Sequence, residues 1–496
     1  MLLHTFSLLC FHDFQKMIIT SAKNIIQDDK FSTIIEYNVF DDEELYKTIR
    51  NLQSSHFINL RILCTKNCDE SLRDFFSILL ERSHKIEVIN IEGCESRFSN
   101  LFDTMKLYEN RDEDVDCDFL TELKELRLTK TYWISHIWSN DKPRIIDLRN
   151  LQILHIKHCR SLEYVFSWYP AEMLHQLKEL IIEECEALST IFKRLDDTPN
   201  TKFPLLSKVK FKSLPNLRQI YGGHLEFPSL KYLMIEECPI LTKLTTGFAD
   251  PHETLTTDGN SFFELDEIVF DSYDNLVCVI SSETLQEFKN LKKLFVSHCE
   301  KLKLLFNIHK EVPSSTQILE QLYALTLIDL PKLSCIVNKE ISRFYENLKI
   351  LKVKQCKSLN MLQVPQKLTN LEISDCEVLD KIIIIEEEKG RKEKLTFHEL
   401  KDVSLENLSK LSVVFPSTSE FPSLQTLKIA NCSAMRSFVE HSKALKYSSA
   451  TTYFFPSSVS LNYKPFIKCV LHKNNMFSFS CHLLYVTIIY FNYLLY

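Results

Sequence analysis

Several groupings in the sequence carry residue types that do chemistry in other proteins. His398-Glu399-Leu400-Lys401-Asp402 begins like the zinc-binding H-E-x-x-H helix, in which two histidines one turn apart share a metal and the glutamate activates water. Here Asp402 stands where the second histidine would, and Leu400 belongs to a recurring set of inward leucines, so no metal is expected there. Cys64, Cys68 and Cys94 could offer thiolates to zinc, but Cys68 and Cys94 occupy a fixed repeat position that reads as core. His155 and His158 flank a short extended segment three residues apart, which places them on differing faces as surface histidines. Acidic runs from Asp112 to Asp118 and from Glu386 to Glu388 read as solvated loops rather than cation or substrate sites.

Phosphate-cradling loops and nucleophile elbows depend on glycine, and the chain has six: Gly93, Gly222, Gly223, Gly247, Gly259 and Gly390. None lies in G-x-x-x-x-G-K-[ST] or G-x-S-x-G, and no C-x-x-C pair occurs. The sequence therefore predicts no catalytic residue, no cofactor and no metal. The net charge of -7 argues against nucleic acid, which calls for a basic stripe.

What the chain does contain is a repeat. From Leu151 the pattern is L-x2-L-x-Φ-x2-[C/L/Y]-x2-L-x2-Φ, where Φ is apolar. One copy reads Leu151, Leu154, Ile156, Cys159, Leu162, Val165; the next reads Leu177, Leu180, Ile182, Cys185, Leu188, Ile191. Further copies begin at Leu206, Leu230, Leu265, Leu291, Leu322, Leu348, Leu368, Leu400 and Leu424, and every pattern position is apolar although apolar residues make up 45% of the chain. Three upstream copies begin at Leu60, Ile86 and Leu123, the last with Thr131 in the cysteine slot. Fourteen copies give a mean period of about 28 residues.

In L-x-x-L-x-Φ the last two apolar residues are two apart, so they point to one side of a short strand while their neighbours point to solvent. No copy can bury its face alone; stacking does it. The expectation is an α/β solenoid, a leucine-rich-repeat horseshoe with a parallel β-sheet on its concave face and about fourteen irregular repeats. Sixteen cysteines, mostly at the slot, read as small buried hydrophobes in a reduced, cytoplasmic setting.

Segments such as Phe227-Pro-Ser-Leu-Lys-Tyr-Leu-Met-Ile-Glu-Glu-Cys238 and Phe421-Pro-Ser-Leu-Gln-Thr-Leu-Lys-Ile-Ala-Asn-Cys432 resemble the irregular repeats of plant disease-resistance receptors. The closer resemblance is to the coiled-coil nucleotide-binding leucine-rich-repeat class, strengthened by copies ending Leu214-Pro215-Asn216-Leu217 and Leu330-Pro331-Lys332-Leu333. It covers roughly Asn59 to Val439. It implies a non-enzymatic region that senses pathogen effectors or guarded host proteins and restrains a nucleotide-binding module. With no P-loop in this sequence, the expectation is a recognition half lacking its own switch, with a protein ligand and a nucleotide-binding receptor module as partners. Plant extracellular repeats fit less well, since the Gly-x-Ile-Pro run is absent and the two sequons, at Asn407 and Asn431, include one beside the slot residue Cys432. The alternative function is a leucine-rich-repeat adaptor or scaffold, such as a ubiquitin-ligase substrate receptor.

Three regions follow. Residues 1–58 read as an N-terminal cap or remnant with a helix near Asp41 to Leu52, residues 59–440 as the repeat domain, and residues 441–496 as an apolar tail. The segment 476–496 holds no Asp, Glu, Lys or Arg and is long enough to span a bilayer. Ser478, Ser480, His482 and Asn492 weigh against a membrane anchor, which stands as the alternative to a cytoplasmic protein.

Outward strand residues line up in columns. One column, Lys157, Glu183, Lys212, Glu236, alternates in charge and reads as a stabilising ladder. The neighbouring column runs Arg127, His155, Ile181, Lys210, Met234, Val269, Phe295, Thr326, Lys352. Met234, Val269 and Phe295, with Tyr232 beside Met234, are apolar at outward positions and are the expected centre of a partner-binding patch. Lys292, Lys293, Lys349 and Lys352 are expected to form its basic flank.

Overall fold

A computed structural model of the chain describes residues 16–21, 34–39, 60–66, 85–94, 120–137, 148–167, 174–193, 201–220, 225–241, 262–281, 285–308, 319–338, 345–385, 395–416, 419–439, 469–472 and 476–479. The chain forms two units, the first comprising Met1–Thr246 with Asp258–Phe262, the second Gly247–Thr257 with Phe263–Tyr496. The expected helix near Asp41 to Leu52, both acidic runs, Cys68 and most of the tail lie outside the described residues.

Each repeat contributes a five-residue strand, and consecutive strands pair in parallel, pentad to pentad. In the first unit these are Ile62–Lys66, Val88–Glu92, Glu125–Thr129, Ile153–Lys157, Glu179–Glu183, Lys208–Lys212 and Tyr232–Glu236. In the second they are Glu267–Asp271, Lys293–Ser297, Ala324–Ile328, Ile350–Lys354, Asn370–Ser374, Asp402–Glu406 and Thr426–Ala430. Most show the same alternation, with residues two and four buried and the others half-buried. The parallel-sheet leucine-rich-repeat solenoid is as expected. The Thr426–Ala430 repeat departs from the pattern: Ala430 is buried while Leu424 and Ile429 are only half-buried.

Beyond the pentads, Lys16–Ser21 pairs in parallel with Ile62–Lys66 and, on its other side, with Ile34–Val39. At the opposite end, Met476–Phe479 pairs antiparallel with both Thr426–Ala430 and Cys469–His472.

The strands stop at a common corner. The residue just before the slot takes a left-handed conformation in copy after copy: Gly93, Lys130, His158, Glu184, Ser213 and Glu237 in the first unit, and Ser272, His298, Asp329, Gln355, Asp375, Asn407 and Asn431 in the second, with φ between 49° and 62°. Only one is glycine. Such a conformation costs an L-residue roughly 1–2 kcal/mol, and at most of these corners a hydrogen bond is gained: the corner N–H donates to the last strand carbonyl of the next repeat, as from Lys130 to Lys157 (2.9 Å), His158 to Glu183 (3.0 Å) and Gln355 to Ser374 (2.9 Å).

The slot follows from that corner. Its cysteines Cys94, Cys159, Cys185, Cys238, Cys299, Cys356, Cys376 and Cys432 are free and buried. Each thiol donates to the carbonyl two residues back, for example Cys238 to Glu236 (3.4 Å) and Cys299 to Ser297 (3.1 Å). A small apolar side chain with a weak donor thus fills the corner and serves the strand end at once. Burial pushes the Cys238 and Cys299 thiols up to about 12.

Among the described residues no α-helix returns the chain. Short parallel strands do so instead, such as Tyr164–Ser167 with Thr190–Lys193, and Cys278–Ser281 with Leu304–Asn307 and Cys335–Val337, together with one 3-10 turn, Leu285–Phe288. Phenylalanines stack beneath this side. In the first unit Phe166, Phe192, Phe203 and Phe227 follow one another at ring distances of 5.8, 5.4 and 5.9 Å. In the second, Phe397, Phe415, Phe421 and Phe438 form a compact group. The Phe-Pro pairs place Phe203, Phe227 and Phe421 into these stacks. The residue before a copy's first leucine staples repeats together: Asn150, Asn290 and Asn347 donate to the carbonyls of Thr121, Phe263 and Glu320 at 2.6, 2.7 and 3.0 Å.

Candidate protein-recognition face

The inward side chains of the pentads are sealed in the core, so the outward residues are what the sheet offers to a partner. In the first unit most of them are charged and already matched. Lys157 and Lys210 both reach the Glu183 carboxylate (3.3 and 2.6 Å), and Lys212 reaches Glu236 (2.7 Å). The expected charge ladder is therefore present, in register. Burial works against the charge on Glu183, yet Lys210 and Lys157 outweigh it and hold its pKa below the ordinary value.

His155 lies half-buried on this face with Nε2 3.5 Å from Glu179; burial, with Arg127 alongside, lowers its pKa and keeps it neutral at pH 7. His158 sits at the corner, Nδ1 2.6 Å from Glu184. The two histidines sit apart, His155 with its Nε2 buried and without a hydrogen-bond partner among the described residues, His158 at the corner beside Glu184. The truncated zinc-like motif is dispersed likewise: Glu399 pairs with Lys349 (2.5 Å), and Asp402 accepts from Asn370 (2.9 Å). Among the described residues, no three His, Cys, Asp or Glu side chains gather as metal ligands.

The apolar outward residues fall into two places. Tyr232 and Met234, both half-buried, belong to the first unit; the Tyr232 hydroxyl donates to Met234 Sδ (3.3 Å), and across Lys210, the register partner of Met234, lies Ile181. Val269 and Phe295 belong to the second unit, where they are direct register partners. Around Phe295 the structure adds apolar residues that the single-column reading missed: Ala324, Ile328 and Ile350 occupy the first and fifth outward positions of the next strands, half-buried, and Tyr323 is 36% exposed. Reading all three outward positions of each pentad would have found them.

The lysine flank also has a different character from a bare cationic edge. Lys292 meets Asp266 (2.9 Å), Lys293 meets Glu267 (3.1 Å), Lys349 meets Glu399, and Lys352 meets Glu372 (3.5 Å). Each is held by a carboxylate from a neighbouring repeat.

Against this geometry the comparisons are decisive for the family. The model described as plant disease resistance protein RPS2-like, leucine-rich repeats, matches residues 33–186, 171–248, 251–362 and 340–449, most of the chain. The chain belongs to this family. A probable disease resistance protein of Arabidopsis thaliana is 23% identical over 238 residues, covering 46% of this chain and 22% of that protein. Disease resistance protein SUMM2, also of Arabidopsis thaliana, is 31% identical over 128 residues, 26% of this chain and 13% of that one. The matched region is thus about a fifth or less of the length of these relatives. The functional domain of InlJ from Listeria monocytogenes, described as including a cysteine ladder, is similar with a TM-score of 0.30 at 12% identity, covering 87% of this chain and 81% of that one. In these RPS2-like repeats, then, the pattern read from Leu60 to Leu424 is the family's own. No helix among the described residues is long and apolar enough to cross a membrane.

Proposed function

We propose that these RPS2-like repeats are a non-enzymatic protein-recognition surface in plant defence, contacting a pathogen effector or a guarded host protein. The observation that carries this reading is the presence of large apolar side chains at outward sheet positions: Tyr232 and Met234 in one unit, Val269 and Phe295 in the other. The core beneath them is already complete without them. Apolar groups left half-exposed at outward positions of a sheet concentrate binding energy, and a preformed sheet has little to order on contact. Family membership supports the setting in defence. Nucleotide-dependent signalling would be supplied by a nucleotide-binding module acting with these repeats. A cytoplasmic setting suits thiols that donate hydrogen bonds in the core.

The test is site-specific photocrosslinking in plant cells, with benzoylphenylalanine placed at position 234, 295 or, on the return side, 304. A discrete protein adduct from 234 and 295 but not from 304 is the expected result. Met234→Glu with Phe295→Glu should then abolish binding of that protein while the fold persists. Adducts arising equally from 304, or undiminished binding by the folded double variant, would overturn the reading.

A further inference from the structure

The surroundings of Phe295 indicate what chemistry its partner carries, an inference that rests on the recognition role argued above. On the Glu267–Asp271 side of the patch, carboxylates pair one to one with basic side chains: Glu267 with Lys293 (3.1 Å) and Asp271 with the His298 ring (2.7 Å). On the Ile350–Lys354 side they do not. Lys354 and Lys352 share one carboxylate, Glu372, at 2.5 and 3.5 Å. The corner carboxylates of these repeats, Asp329 and Asp375, lie one residue beyond the strand ends, and Asp375 accepts from Asn407 (2.6 Å). Lys352 and Lys354, with one carboxylate on the next strand between them, therefore border the apolar patch directly as the register partners of Thr326 and Ile328.

We propose that the Phe295 face of the second unit receives an acidic, apolar protein segment: one large apolar side chain packs on Phe295, Val269 and Ile328, and a nearby carboxylate reaches Lys352 and Lys354. The spacing follows from the sheet. Phe295, Thr326 and Lys352 are in register on consecutive strands, so anchor and cation stand about 10 Å apart, two interstrand spacings. An extended segment rises about 3.3 Å per residue and sends every second side chain to one face, so residues two or four apart, about 7 or 13 Å, bracket that distance on the same side. A like-charged or wholly apolar segment would leave the shared lysines facing no new anion, whereas an acidic one completes the pairing and gains on-rate from the local field.

The experiment is selection of phage-displayed random peptides on the purified full chain. Wild type should enrich sequences with a large apolar residue and an Asp or Glu two or four positions away. Phe295→Glu should lose them, and Lys352→Glu with Lys354→Glu should weaken a selected synthetic peptide at least tenfold, about 1.4 kcal/mol, while favouring basic sequences in a fresh selection. Thermal melts check folding, and Phe295→Ala replaces Phe295→Glu if the latter unfolds. Peptides that depend on Phe295 but show no acidic preference, or that ignore the charge reversal, overturn this inference and leave the recognition role standing. If no peptide depends on Phe295, both fall.

Discussion

At the scale of single residues, the outward sheet face is a set of paired charges whose energetics are set by pH. Glu183 has a folded pKa below its ordinary value of 4.5 because Lys210 and Lys157 overcome its burial. A carboxylate of this kind stabilises the fold above its unfolded pKa, and that contribution is lost as pH falls through the folded value. Glu183→Gln should therefore flatten the decline in urea midpoint below about pH 4.5 relative to wild type, measured by denaturation across a pH series. Ser297 makes the opposite case. It holds an outward position but is only 1% exposed, and its Oγ meets no hydrogen-bond partner. A buried hydroxyl left unsatisfied costs about 1–3 kcal/mol, so Ser297→Ala should be neutral or stabilising by up to about 1 kcal/mol in the same assay. The thiols divide by position. At pH 8 iodoacetamide should label half-buried Cys64, Cys278 and Cys335 in the native chain, and slot residues such as Cys238 and Cys299 only after urea, as read by peptide mass spectrometry.

At the scale of the element, strand and slot were legible in the sequence and the corner was not. The buried residues two and four of the pentad announce themselves as L-x-Φ, and the slot as cysteine or leucine, because core positions accept few residue types. The left-handed corner leaves no such mark: Lys130, His158, Ser213, Asp329 and Gln355 share no chemistry, because what holds the position is a backbone hydrogen bond to the next repeat. The return strands were equally hidden, their apolar residues being shared with the L-x2-Φ half of the motif. The apolar outward residues were half legible. Phe295 and Val269 stood out in their column, while Ile328 and Ile350 did not, since a single column samples one outward position in three. The corner gives its own prediction. Gln355→Gly should raise stability by up to about 1 kcal/mol by relieving positive φ, and Gln355→Val should lower it by about 1–2 kcal/mol, both by urea denaturation. Equal midpoints for the two variants would show that the corner is relaxed in solution.

At the scale of the molecule, each unit is a stack in which a repeat is held by its neighbours. The phenylalanine group of the second unit, Phe397, Phe415, Phe421 and Phe438, joins three repeats at its end. Phe421→Ala should cost about 3–5 kcal/mol of local stability. In a one-dimensional stack that loss should show as faster amide exchange in residues 395–439 with little change at 350–374. Uniform acceleration throughout the unit would show instead that it unfolds in one step.

The pentads keep their pairing whether 20 residues separate consecutive strand starts, as from Ile350 to Asn370, or 31, as from Lys293 to Ala324. The joints between repeats are made by main-chain groups and buried apolar contacts, with ion pairs such as Lys157–Glu183 added across the outward face. Unequal crossing-over within such a gene can therefore duplicate, delete or trade a whole repeat without disturbing the ones beside it, and each exchange rewrites three outward letters of the sheet. The outward face can thus be reshuffled in frame while the framework is kept.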